Sequence, residues 1–97
     1  MFPKKRKIKL KGEDIQLLNE QVHQRDGDHC IYCGRYVDIG VKFHHERVAG
    51  MKSDTIEEAV LLCNECHYKR HNTGDGAKIR EFCREYLRKL YGHWGLN

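Results

Sequence analysis

The sequence predicts a small single-domain α+β fold in which flanking helices are stapled to a short-stranded centre by a four-cysteine metal site. Three observations predict it. The chain has 97 residues, enough for one core and no more. Two Cys-x-x-Cys pairs, Cys30/Cys33 and Cys63/Cys66, stand well apart in the sequence, and each pair can offer two thiolates to one tetrahedral ion at about 2.3 Å. The hydrophobic pattern is helical towards both ends and strand-like between them.

The first element is a charged arm. Residues 1–11 hold Lys4, Lys5, Arg6, Lys7, Lys9 and Lys11 and no acid, while the other 86 residues carry 12 basic and 14 acidic side chains. The net charge of +4 therefore belongs to the arm and not to the domain expected over residues 12–97. Such an arm adds affinity for phosphate backbones through counterion release, without reading sequence. Lys4, Lys5, Arg6 and Lys7 are its candidate contacts. The same run also reads as a solvated terminus or a nuclear import signal.

Residues 13–25 read as a helix with Ile15, Leu18 and Val22 on one face, stopped by Asp26-Gly27. Cys30 to Gly34 is a tight turn presenting two thiols. Residues 36–39 and 41–44 read as two short strands around Gly40, and residues 46–54, polar with Gly50, as a loop. Thr55-Ile56-Glu57-Glu58 fits a capping box for one helical turn. Val60-Leu61-Leu62 is a brief buried strand, followed by the second thiol turn. A helix starts at His67, and residues 72–76 break it. Residues 77–91 give the clearest helix, with Ile79, Phe82, Cys83, Tyr86, Leu87 and Leu90 on its apolar face and Gly92 as C-cap. Cys83 reads as core, not as a ligand.

No apolar run reaches the roughly 20 residues that span a bilayer, so a membrane protein is excluded. No secretory signal is expected, which puts the chain in the reducing cytoplasm (the host's, if a phage encodes it). There, an odd count of five Cys points to metal ligation and not to disulfides. The four paired thiols define a structural zinc (Zn2+) site.

Seven His is a high count, and four are organised. His67 and His71, at i and i+4 on a helix, project from one face. His44 and His45 are adjacent in an extended segment and point to opposite faces. One of them can join His67 and His71 on a cation, and the other is left as a proton acceptor beside it. Three protein ligands leave positions open, as catalysis requires. His23, His29 and His93 read as ordinary surface or core residues. Four thiolates around a zinc ion stay net negative, whereas neutral imidazoles leave a divalent ion positive, so a phosphate is drawn to the histidines.

The run Phe43-His44-His45-Glu46, then residues 53–63, then Cys66-His67 and Arg70-His71, with the lead-in at residues 25–30, resembles the HNH endonuclease motif. The form with two Cys-x-x-Cys pairs is similar to small HNH nucleases of phages and mobile elements. The resemblance covers about residues 25–72. It implies a ββα-metal (His-Me finger) fold, with His45 as general base and His44, His67 and His71 holding one catalytic divalent ion. Magnesium, manganese, nickel and zinc all suit such ligands. It implies metal-dependent hydrolysis of DNA phosphodiester bonds to a 5′-phosphate and a 3′-hydroxyl. The family's Asn, five residues before Cys63, is Glu58 here. Glu58 either braces the loop behind the base or touches the metal, or it is simply the capping-box acid. Arg47, Lys52, Lys69 and Arg70 flank the cluster; Arg47 and Arg70 are the candidate phosphate contacts. DNA is the expected partner, with phage packaging or recombination proteins as further candidates, and the chain is expected to be a monomer or weak dimer. The alternative is a non-catalytic zinc module that binds nucleic acid, or an accessory subunit of a phage DNA-packaging machine.

Overall fold

The computed structural model of the chain describes residues 9–46 and 54–92. Within them the order is helix α1 (Glu13–Asp26), strand β1 (His44–His45), a 3-10 turn (Ile56–Glu58), strand β2 (Ala59–Val60), helix α2 (Asn64–Asn72) and helix α3 (Gly76–Tyr91). This is a small α+β fold whose sheet has two antiparallel strands, consistent with the ββα-metal arrangement. His44 lies opposite Val60 and His45 opposite Ala59. A bond from the Glu46 amide to the Glu58 carbonyl, 2.8 Å, carries the pairing one residue further.

Helix α1 ends where Asp26-Gly27 predicts, with Gly27 left-handed. Leu18 and Val22 are buried and Ile15 packs partly against them. Residues 36–39 are not a strand: only Tyr36 pairs, in a single bridge to His29. Val37 alone of that run is buried, so the segment has one residue to anchor and no neighbour to pair with. Of residues 41–44, only His44 enters a strand. The capping box is also absent in its expected form, because Thr55 makes no side-chain cap. The buried run continues from β2 through Leu61 and Leu62, both almost fully enclosed. Burying each such side chain is worth about 1.5–3 kcal/mol.

Helix α3 buries a narrower stripe than its sequence suggests. Ile79, Cys83 and Leu87 are inaccessible, whereas Phe82 and Leu90 remain more than 40% exposed. Cys83 is thus core, and burial pushes its thiol up. Gly76 opens α3 against the end of α2, where a Cβ would stand 2.5 Å from the Arg70 carbonyl oxygen. Only glycine permits that approach.

A buried polar knot joins the layers. Asp26, its side chain fully enclosed, accepts from Arg25 Nε at 2.8 Å, from the Leu61 amide at 3.0 Å and from the Tyr86 hydroxyl. Arg25 donates onward to the carbonyls of Ile56 and Ala59 and to the Tyr91 hydroxyl. Hydrogen bonds to buried charges are worth about 1.5–3 kcal/mol each. The residues that close α1 therefore also fix the 3-10 turn, β2 and α3. The His23 ring is buried, bonded to Asp28 Oδ1 at 2.9 Å and to the Val41 carbonyl at 2.8 Å. It is a satisfied core histidine, as expected. His93 lies outside the described residues.

Candidate active site

Two thiol turns meet first. In Cys30-Ile31-Tyr32-Cys33-Gly34, the Cys33 amide donates to Cys30 Sγ at 3.5 Å and the Gly34 amide to the Cys30 carbonyl at 2.9 Å. Gly34 takes φ +82 to close the turn, a conformation costly for other residues. The second turn repeats the pattern: Cys63 Sγ caps α2 by accepting the Cys66 amide at 3.4 Å. A bond from the Ile31 amide to the Leu61 carbonyl, 3.0 Å, brings the turns together. All four sulfurs lie within 4.8 Å of one another. Burial and the neighbouring thiols push the Cys66 thiol up, so four sulfurs packed this closely call for a cation to draw off their protons. The donor set and its spacing fit zinc.

Helix α2 then carries the next residues of the chain to a second cluster. His67 and His71 stand one turn apart, and His44 faces them from β1. The three ring centroids form a near-equilateral triangle of 5.0, 5.2 and 4.9 Å. One nitrogen from each lies within 4.8 Å of the others. Burial first, and then the charges of His44, His71 and Arg70, hold His67 down to about 4; His71 is lowered by burial and by His44 and Arg70. Both rings are therefore neutral at pH 7, the form in which imidazole binds a metal.

The buried Glu46 organises His44. Its Oε2 accepts from His44 Nε2 at 3.0 Å. Arg70 grips the same carboxylate through Nε at 3.2 Å and Nη2 at 2.9 Å. Burial alone would raise Glu46, but the His44 and Arg70 bonds outweigh it and hold the carboxyl below its ordinary value. The Glu46 bond to Nε2 fixes the orientation of the His44 ring beside His67 and His71. A carboxylate behind a ligating histidine is the usual second layer of a metal site.

His45 points the other way, as strand alternation requires. Its Nε2 meets Asp54 Oδ1 at 2.5 Å. Burial would raise Asp54, but the His45 bond and the Leu10 amide hold it lowered. Both sets of imidazoles nonetheless reach one cleft of about 560 Å³, lined by residues 40–45, Asn64, His67 and His71.

Glu58 is buried and is not among the residues lining that cleft; its backbone carbonyl receives the Glu46 amide. Arg70, expected at a phosphate, spends its guanidinium on Glu46. Lys4, Lys5, Arg6, Lys7, Arg47 and Lys52 lie outside the described residues. Sequence reasoning gave no role to Glu46 or Asp54. Glu46 was findable, since residues two apart in an extended segment share a face and an acid there would meet His44. Asp54 carried no such signal, because its approach depends on the path between two distant strands.

Strand pair, helix and histidine triangle are together consistent with a ββα-metal fold. Residues 30–73 match the family model of the HNH endonucleases, a stretch that holds both thiol pairs, the three clustered histidines and His45. No curated protein and no solved structure matches the chain. Among the described residues no helix is long and apolar enough to cross a membrane.

Proposed function

We propose that the protein is a metal-dependent endonuclease that hydrolyses DNA phosphodiester bonds, with His45 as general base. The observation that carries this reading is the placement of His45 in the same cleft as the three-imidazole cluster of His44, His67 and His71. That cluster would hold one divalent ion, which supplies positive charge to offset the charge building on phosphate and leaving oxygen. The other tasks fall to the chain. His45 takes a proton from the attacking water. Lys42, on the rim of the cleft, attracts the backbone, and the basic arm adds affinity along it. Glu58 braces the base from behind through the strand pairing of its carbonyl. The four thiols hold zinc in a purely structural role.

The test is supercoiled plasmid incubated with the protein and a panel of magnesium, manganese, nickel and zinc. Cleavage is expected with at least one ion, leaving 5′-phosphate ends. His45→Ala should lower the rate by about 10²–10⁴ without loss of the fold. DNA binding without cleavage under every ion would favour the non-catalytic module instead.

A further inference from the structure

Asp54 holds two partners at once. One oxygen accepts from His45 at 2.5 Å, and the other accepts from the backbone amide of Leu10 at 2.8 Å. The side chains of His45 and Asp54 are only 13% and 12% exposed, so water competes weakly for their bond. An ionised carboxylate only accepts, and both Asp54 oxygens are placed to do so. Nε2 of His45 is therefore the donor in this bond, and Nδ1 is the ring's other nitrogen. The Leu10 amide occupies Oδ2 and so fixes the carboxylate plane that aims Oδ1 at the ring.

We propose that Asp54 is a positioning residue for the reaction. It locks His45 in the tautomer whose Nδ1 accepts the proton, and its charge offsets the imidazolium that results. The proposal rests on His45 being the base. In the step, water loses a proton to Nδ1 as its oxygen bonds phosphorus. The bond from phosphorus to the 3′ oxygen breaks, and that oxygen takes a proton from solvent. His45 later returns its proton to solvent, while Asp54 stays ionised throughout. The device is that of the Asp behind the base histidine in serine hydrolases, here supplied by a carboxylate nine residues further along the chain.

The experiment uses the full chain labelled with 15N at histidine. Long-range proton–nitrogen correlation spectra should report His45 as the Nε2–H tautomer, and Asp54→Ala should convert it to a mixture. In plasmid cleavage, Asp54→Asn and Asp54→Ala should each lower kcat by at least about tenfold, with KM within about twofold, and Asp54→Glu should recover part of the loss. A wild-type His45 carrying its proton on Nδ1 overturns the proposal. So does an Asp54→Ala chain with unchanged tautomer and kcat. A loss of activity that merely tracks a lost thermal midpoint, with the tautomer unmoved, also overturns it, since the role would then be structural. A wild-type chain that fails to cleave under every ion of the panel defeats the endonuclease reading itself. An active wild type with unaffected Asp54 variants defeats the Asp54 proposal alone.

Discussion

His44 and Glu46 meet through a 3.0 Å hydrogen bond between Nε2 and Oε2, and Arg70, reaching from the helix that bears His67 and His71, clasps the same carboxylate. The acid thus ties the strand member of the imidazole cluster to the helix that bears the other two. Glu46→Gln should weaken divalent-ion binding at the imidazole cluster by about 10–100-fold. Calorimetric titration with manganese or nickel reads this, while the zinc content of the thiol site should not change. Equal affinity in both proteins would mean that Glu46 does not orient His44.

Acid should weaken the fold before the carboxylates titrate. His67 is held at about 4 in the folded chain, against about 6.5 when unfolded. Between these values the unfolded state binds a proton that the folded state refuses, so stability falls as pH drops from 6.5 to 4. Without added divalent ion, the thermal midpoint should decline across that window. His67→Gln should show a shallower decline between pH 7 and pH 5. Parallel declines would place the acid sensitivity elsewhere.

Gly76→Ala sets two effects against each other. Alanine favours a helix by about 0.5–1 kcal/mol over glycine. The added Cβ, however, would lie 2.5 Å from a backbone oxygen of Arg70, and such overpacking costs about 1–3 kcal/mol. The variant should therefore be less stable, with a lower midpoint in denaturant melts. An unchanged or higher midpoint would show that the turn between α2 and α3 yields easily.

Cys63→Ser removes one of the four clustered thiols, the proposed zinc ligands, and the cap of α2 together. Structural zinc contributes on the order of 10 kcal/mol as apparent affinity, more than a domain of this size can spare. The variant should be largely unfolded by far-ultraviolet circular dichroism. A native spectrum with no bound zinc would contradict the structural role of the site.

The two side-chain clusters were more legible in the sequence than their supports. The Cys-x-x-Cys spacing and the i, i+4 histidines act through local geometry, and both clusters form as that geometry requires. Helices α1 and α3 were legible from period and terminating glycines, to within a residue or so. The expected strand at 36–39 failed because alternation over four residues cannot create a pairing partner. Arg25 and Asp26 looked like a helix end, yet their partners lie 31 to 66 residues away. Glu46 and Arg70 illustrate the same limit. Each looks like surface charge in the linear sequence, and only the tertiary approach of α2 to the end of β1 joins the buried Glu46 to the partly buried Arg70.

Helix α2 begins within the thiol site and reaches the imidazole cluster one residue after Cys66. The two clusters therefore share a lever arm, so that disturbing the thiol cluster would disturb the imidazole cluster. A chelator strong enough to extract the thiol-held ion would swing His67 and His71 out of register, so inactivation by chelator would report on scaffold integrity as much as on the hydrolytic ion. Replenishing magnesium alone would not restore such a protein, whereas zinc supplied under reducing conditions, followed by magnesium, would.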